Sequence, residues 1–172
     1  MGALEVRKNV LDAELLNELH LFTRQGMAPT RINFFNWSQS VVQSSNAIFF
    51  FELEDELKQK IISTLLEKGI IKKQPKRYAA NVALYSRQSF IPWHDDGSHL
   101  TSITIYLNQE WSKDWGGYFA YEEGEEVKAI VPTYNTCVAF EPPLMHSVTL
   151  TNLNAPFRES LQIFIDEFED AN

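Results

Sequence analysis

The sequence has almost no cysteine and no long apolar run. The 172 residues contain one cysteine, Cys137, so no disulfide can form within the chain and nothing calls for an oxidising compartment. No hydrophobic run is long enough to cross a membrane, and residues 1–6 lack the apolar stretch of a signal peptide. We therefore expect a cytoplasmic protein without a membrane partner.

Positive charge is also scarce. Lys and Arg number 15 against 23 Asp and Glu, which gives a net charge of −8 and a pI near 5.0. An acidic protein repels phosphate backbones, so we expect no nucleic-acid partner. The basic residues around Pro75 are typical of a solvated loop; they are Lys72, Lys73, Lys76 and Arg77.

The first 76 residues carry helical patterns, and we assign residues 1–172 to one domain with one core. Asp12 is a candidate cap for a helix that ends near Gly26 and Pro29. A second helix is predicted from Leu53 to Lys68, with Gly69 as its stop. The intervening segment, residues 31–51, has aromatic ends and a polar centre; it is either a surface loop, which we favour, or a flap.

Residues 77–168 change to strand patterns. Gly, Pro or Asn residues separate short runs rich in β-branched and aromatic residues, which is typical of a sandwich or barrel. The predicted strands are 78–85, 100–107, 118–121, 127–131, 136–140, 146–151 and 158–168. We therefore predict a mainly β fold in which residues 1–76 provide helical support and a possible flap for a catalytic core of residues 77–168.

The last predicted strand has two different faces. Leu161, Ile163 and Ile165 alternate with Arg158, Ser160, Gln162 and Phe164. The apolar face fits a packing surface for the helices, and the other face could line an interior cavity.

Three residues in the strand region match a metal site. His94 and Asp96 stand two apart, so on an extended chain their side chains point to the same side. His146, at the start of a later strand, is the natural third ligand. Two imidazoles and one carboxylate form the facial triad of non-haem Fe(II) oxygenases, which leaves coordination positions open for a 2-oxo acid and O2. By itself His-x-Asp is a weak motif.

An anion-binding group follows this motif. Arg158 lies twelve residues after His146, and Ser160 faces the same way. A buried arginine can bind a carboxylate with two hydrogen bonds, as the far end of a dicarboxylate requires. Tyr85 and Tyr106, on flanking strands, could add hydroxyl hydrogen bonds. The alternative for Arg158 is a surface salt bridge with Glu159 or Asp166.

In order and spacing, these motifs resemble the prolyl-4-hydroxylase-like branch of the 2-oxoglutarate/Fe(II)-dependent dioxygenases over residues 78–168. The matching residues are Tyr85, Pro92-Trp93-His94-Asp95-Asp96, Ile105-Tyr106-Leu107-Asn108, Trp111, Gly116-Gly117, Pro132, Phe140, His146-Ser147-Val148 and Arg158-Glu159-Ser160. The resemblance implies a double-stranded β-helix, a cupin-like jelly roll with helices packed on the major sheet.

The resemblance also implies roles. His94, Asp96 and His146 would hold Fe(II), Arg158 would pair with the distal carboxylate of 2-oxoglutarate, and Tyr106 would help to bind this cosubstrate. Tyr85 matches an aromatic often found near the substrate or cosubstrate. The implied reaction hydroxylates an unactivated C–H bond with O2 and yields succinate and CO2. Halogenating relatives lack the carboxylate that Asp96 supplies, so hydroxylation is the expected outcome.

Two residues beside the motif remain open at this point. Asp95 offers a second carboxylate, although Asp96 shares the face of His94 and is preferred as the ligand. His99 is expected to be a loop residue that points to solvent, with a contact to the substrate or to a ligand as the alternative.

The substrate is expected to be a peptide, of prolyl type, or an amino-acid-like molecule. Aromatic residues near the metal motif could form a rim for such a ligand, although Trp111 and Trp115 could equally anchor a loop; these residues are Phe90, Trp93, Trp111, Trp115 and Tyr118. A small-molecule metabolite is the alternative substrate. The rival functions are a cupin-type metal enzyme that does not use 2-oxoglutarate and a non-catalytic binding module. The sequence does not predict the oligomeric state.

Overall fold

The computed structural model describes residues 4–26, 33–34 and 45–170, the pair 33–34 by its backbone alone. Two α-helices lie in this part of the chain, α1 (Ala13–Gly26) and α2 (Asp55–Glu67). The strands of the described residues are β1 (Glu5–Lys8), β2 (Asn33–Phe34), β3 (Ile48–Glu52), β4 (Pro75–Tyr85), β5 (Ile91–His94), β6 (Thr101–Tyr106), β7 (Phe119–Glu123), β8 (Glu126–Ile130), β9 (Thr136–Phe140), β10 (His146–Val148) and β11 (Arg158–Phe168).

The described strands form two antiparallel sheets. The major sheet has the order β1-β9-β6-β11-β4-β3-β2, and the minor sheet has the order β5-β10-β7-β8. Side chains from both sheets meet in mixed clusters, such as Tyr106 and Val138 with Phe119, so the two sheets face each other. This arrangement confirms the predicted mainly β jelly roll.

The helices cover the outer face of the major sheet. Leu19 on α1 and Ile61 on α2 are fully buried against the apolar face of β11. Leu161, Ile163 and Ile165 provide that face and have no exposed surface. The predicted division of β11 is therefore correct, because its alternate residues, including Arg158 and Gln162, point between the sheets.

The start of α1 and the end of α2 lie close to their predicted positions, because capping residues next to each helix determine them. The Asp12 carboxylate accepts a hydrogen bond from the backbone N–H of Leu15 at 2.8 Å, which caps α1. After α2, Gly69 adopts a φ of 66°, and its N–H donates to the Leu66 carbonyl at 2.9 Å. The predicted terminator of α1, Pro29, lies outside the described residues. No described helix is long and apolar enough to span a membrane.

The expectation of a loop over residues 31–51 is wrong at its end. Residues 48–52 form β3, which pairs with β4 in the register Ile48↔Tyr85 to Glu52↔Asn81. The run Ile-Phe-Phe-Phe has high β propensity, and Phe50 and Phe51 are buried on opposite faces of the strand. Strands from residues 1–76 thus extend the major sheet. Residues 35–44, which hold most of the proposed flap, lie outside the described part.

Two further differences concern proline. β4 begins at Pro75, three residues before the predicted start, and β5 was not predicted because Pro92 interrupts its pattern. Proline is tolerated at the first residue of a strand and on sheet edges, and β5 is an edge strand. Of the basic cluster, Lys76 and Arg77 therefore lie in β4, where they remain exposed and pair with Glu167 and Asp166.

Candidate metal centre

Three side chains converge at one end of the minor sheet. β5 and β10 are paired neighbours, and their register sets His146 opposite His94. Asp96 follows two residues after His94 and places its carboxylate oxygens 3.7 Å from the Nε2 atoms of both histidines. One potential ligand atom from each of these residues lies within 4.8 Å of the others. Such a spacing can accommodate a single metal ion.

Backbone carbonyls orient both imidazoles. His94 Nδ1 lies 2.7 Å from the Pro92 oxygen, and His146 Nδ1 lies 2.8 Å from the Leu144 oxygen. A carbonyl oxygen can only accept, so Nδ1 carries the proton in each ring and Nε2 carries the lone pair. This pairing is how proteins fix the tautomer of metal-binding histidines.

Burial favours the neutral form of His146. The ring lies against Phe119 and Phe140, each with a centroid separation of 5.0 Å. Burial and then the nearby His94 lower the pKa of His146 below its ordinary value, although the Leu144 carbonyl and the Asp96 carboxylate favour the proton. A neutral imidazole is the form that binds metals.

The structure gives Asp95 and His99, whose roles the sequence left open, different surroundings. Asp95 is exposed, and its carboxylate accepts a hydrogen bond from the Gly97 N–H at 3.2 Å. The structure therefore brings Asp96, and not Asp95, beside the histidines. The expectation that His99 points to solvent is wrong, because its Nδ1 lies 2.6 Å from the Asp166 carboxylate and its ring contacts Phe164.

Arg158 is buried at the other end of the same cavity, with 1% of its surface exposed. Its Nε donates to the Gly117 carbonyl at 2.8 Å, and its Nη1 lies 3.5 Å from Ser160 Oγ. The guanidinium stacks on the Tyr85 ring at 4.5 Å and lies 5.2 Å from the Tyr106 ring. No carboxylate of the described residues forms an ion pair with it, so the alternative of a surface salt bridge with Glu159 or Asp166 is not observed.

Gly117 positions this arginine, a role that sequence reasoning missed. Its φ is 68°, and a Cβ there would meet Arg158 Cδ and Thr151 Cγ2 at 3.0 Å. Only glycine fits a residue that is both left-handed and so closely approached. The Gly-Gly pair in the sequence was a sign of special backbone, but it could not identify the side chain that packs there.

The two tyrosines beside Arg158 differ in their hydroxyl partners. Tyr85 Oη accepts a hydrogen bond from Gln162 Nε2 at 2.6 Å, a contact that was not predicted. Tyr106 Oη is fully buried and has no hydrogen-bond partner among the described residues. Burial raises the pKa of Tyr106 to about 12, against the opposing charge of Arg158. The phenol is therefore neutral and keeps its proton for donation beside Arg158.

One interior cavity connects the two ends. It is bounded by Tyr85, His94, Asp96, His146, Arg158 and Phe164, among others. The residues that line it are chemically consistent with two ligands. Two imidazoles and a carboxylate suit Fe(II), and a buried cation without a counter-ion among the described residues suits an anion.

The five residues of the predicted aromatic rim do not line the cavity, and two of them anchor a loop instead. Trp111 donates its Nε1–H to the Gly116 carbonyl at 2.9 Å and packs edge-on against Trp115, so this pair anchors the loop before Gly117. Trp93 is 43% exposed, on the strand that carries His94. None of the five rim residues is among the described residues that line the cavity.

Comparison with protein families decides the class. The model of the family described as the 2OG-Fe(II) oxygenase superfamily matches residues 80–166, just over half of the chain. The chain belongs to this superfamily. It is therefore an enzyme that uses Fe(II), 2-oxoglutarate and O2, and the cupin-type alternative without 2-oxoglutarate is disfavoured.

Solved structures of other 2-oxoglutarate oxygenases share the fold. A prolyl-4-hydroxylase from Pseudomonas putida superposes with a TM-score of 0.74 at 15% identity, covering 96% of this chain and 92% of that one. A Trichoplax adhaerens prolyl hydroxylase, in complex with a peptide fragment of the hypoxia inducible factor oxygen degradation domain, gives 0.74 at 16% identity, with coverages of 94% and 82%.

A third similar structure contains the cosubstrate. HygX from Streptomyces hygroscopicus, with nickel and 2-oxoglutarate bound, superposes with a TM-score of 0.68 at 11% identity, covering 95% of this oxygenase and 82% of HygX. These neighbours confirm the double-stranded β-helix fold. No curated protein sequence is significantly similar to this oxygenase.

Proposed function

We propose that this oxygenase hydroxylates an unactivated C–H bond of a peptidyl, prolyl-type substrate or of an amino-acid-like substrate. In this proposal His94, Asp96 and His146 hold Fe(II), and Arg158 binds the distal carboxylate of 2-oxoglutarate. The observation that carries it is one cavity with a three-residue donor set at one end and, at the other, a buried arginine without a carboxylate partner among the described residues.

Both the chemistry and the spacing of His94, Asp96 and His146 support an iron site. One aspartate would balance part of the charge of Fe(II), and imidazole ligands add no charge, so the site would keep a net charge near +1 and attract an anionic cosubstrate. The carbonyls of Pro92 and Leu144 hold the rings in place before any metal arrives. Such preorganisation lowers the entropic cost of binding.

At the other end, Arg158 and Tyr106 support a carboxylate site. An isolated buried cation is costly, and a bound carboxylate offsets this cost through charge-assisted hydrogen bonds. The Tyr106 hydroxyl has no hydrogen-bond partner among the described residues and would donate a further bond. Ser160 holds one edge of the guanidinium, and Tyr85 stacks on its face, so both would act on the cosubstrate through Arg158.

Bound Fe(II) would supply the redox chemistry by which O2 converts 2-oxoglutarate to succinate and CO2 and transfers one oxygen atom to the substrate. The chain itself binds and orients the reactants and excludes water with an apolar wall that includes Ile91, Phe119, Phe140 and Val148. A dry cavity keeps the oxidation directed at the substrate.

The peptidyl substrate class is supported by fold likeness. The Trichoplax enzyme, which shares this fold, was solved with a peptide fragment bound, and fold likeness is a weaker argument than a site. The class is tested by incubating the Fe(II)-loaded protein with 2-oxoglutarate, air and a panel of proline-containing peptides and free amino acids. A hit gains one oxygen atom in the mass spectrum and forms succinate in equal amount.

Asp96→Ala serves as the matched control in this assay, because it removes one proposed iron ligand at the cavity and leaves the peptide panel unchanged. Oxygen incorporation that survives this change would contradict the site assignment. Stimulation by small metabolites alone, with no peptide or amino acid active, would contradict the substrate class.

A further inference from the structure

The carboxylate of the donor set stands on a turn and not on a strand. β5 ends at His94 and β6 begins at Thr101, and the connection has no regular secondary structure. Asp96 opens a β-turn within it: the His99 N–H donates to the Asp96 carbonyl at 2.8 Å across Gly97 and Ser98. The position of Asp96 therefore depends on what holds this turn.

Two hydrogen bonds and a ring contact tie the end of the turn to β11. The Leu100 N–H donates to the Ile165 carbonyl at 2.7 Å. The His99 side chain makes the second contact, with Nδ1 2.6 Å from Asp166 Oδ1. Since a carboxylate can only accept, Nδ1 donates. The His99 ring also lies 4.8 Å from the Phe164 ring, which lines the cavity.

Asp166 is itself fixed. It lies on β11, the long strand at the centre of the major sheet, and its other carboxylate oxygen is 3.4 Å from Arg77 Nε on neighbouring β4. The side chains of His99 and Asp166 are 28% and 30% exposed, so their hydrogen bond is shielded more than a surface ion pair, which contributes little. The turn that carries Asp96 is thus anchored to the major sheet.

We propose that His99 and Asp166 are positioning residues that hold the Asp96 turn in the geometry required for metal binding. The inference rests on the proposed function, in which Asp96 is an iron ligand. Without the His99–Asp166 bond, the turn retains glycine and serine at its centre and loses its side-chain anchor, so Asp96 samples positions away from the histidines. Partners that orient metal ligands typically affect affinity by about 10–100-fold.

The test is the affinity of the purified protein for Co(II), used as a probe for Fe(II), measured by calorimetry and by the visible spectrum of the bound ion. His99→Ala and Asp166→Ala should each weaken Co(II) binding by about 10–100-fold and alter the spectrum. The double variant should be no weaker than either single one, because both remove the same bond. His99→Asn keeps an N–H donor at the Nδ1 position and should restore most of the affinity.

Glu167→Ala is the matched control. It removes the neighbouring carboxylate, which pairs with Lys76 on the surface, and should leave Co(II) affinity at the wild-type value. Unchanged affinity in folded His99→Ala overturns the inference, as do additive losses in the double variant. If His99→Ala does not fold, Asp166→Ala and His99→Asn decide the outcome by the same criteria. A wild-type protein that binds no Co(II) instead overturns the proposed function.

Discussion

Replacing Arg158 with methionine separates cosubstrate binding from stability. A guanidinium has five N–H donors; Nε bonds Gly117 and one Nη1 proton faces Ser160, so three donors remain for a ligand. Hydrogen bonds to charged groups contribute about 1.5–3 kcal/mol each. A carboxylate accepts two parallel hydrogen bonds from a guanidinium. Losing both bonds costs about 3–6 kcal/mol, or about 100- to 10,000-fold in 2-oxoglutarate affinity.

The effect on folding should be much smaller. Methionine fills a similar apolar volume and removes a buried charge that has no carboxylate partner among the described residues, which offsets the lost bond to Gly117. We expect the free energy of unfolding of the metal-free protein to change by less than about 2 kcal/mol. Removing one member of a structural buried ion pair costs about 3–5 kcal/mol instead.

The assay combines anaerobic calorimetry of 2-oxoglutarate with the Mn(II)-loaded protein and urea unfolding of the metal-free protein. Arg158→Lys is the control, because it keeps the charge without the bidentate geometry and should bind 2-oxoglutarate between the wild type and Arg158→Met. The reasoning is refuted if Arg158→Met binds 2-oxoglutarate as the wild type does while unfolding about 3–5 kcal/mol more easily.

Three further predictions use other parts of the site and core. Tyr106→Phe removes a buried hydroxyl that lacks a hydrogen-bond partner in the described part of the chain, so calorimetry should show 2-oxoglutarate affinity about 10-fold lower and urea unfolding should show no loss of stability. Gly117→Ala should weaken 2-oxoglutarate binding and destabilise the fold by at least about 1 kcal/mol, since the residue has a φ of 68° and contacts Arg158. Burial raises the pKa of Cys137 to about 12, so the thiol should resist alkylation at pH 8 in the native protein and react at once in urea; rapid native labelling would contradict its placement in the core.

Features that depend on residues close together in the chain were predictable from the sequence. The two-residue spacing of His94 and Asp96 and the alternation along β11 depend only on strand geometry, and the structure places those side chains as that geometry requires. The cap at Asp12 and the stop at Gly69 likewise depend on residues close in the chain.

Contacts between distant segments were not predictable. Gly117 meets Arg158, Gln162 meets Tyr85, and His99 meets Asp166 only because the sheets fold together. From the sequence, His99 was expected to face solvent, with a contact only as the alternative. β3 was missed for a related reason, since a short apolar run becomes a strand only when a neighbour such as β4 pairs with it.

The central claim is that His94, Asp96 and His146 hold the iron on which 2-oxoglutarate turnover depends. Its most direct test is the formation of succinate from 2-oxoglutarate in air by the Fe(II)-loaded wild type and by folded His146→Ala, with bound iron measured in both. The account predicts stoichiometric iron and succinate formation in the wild type, and loss of both in His146→Ala. Succinate formation at the wild-type rate by His146→Ala would contradict it.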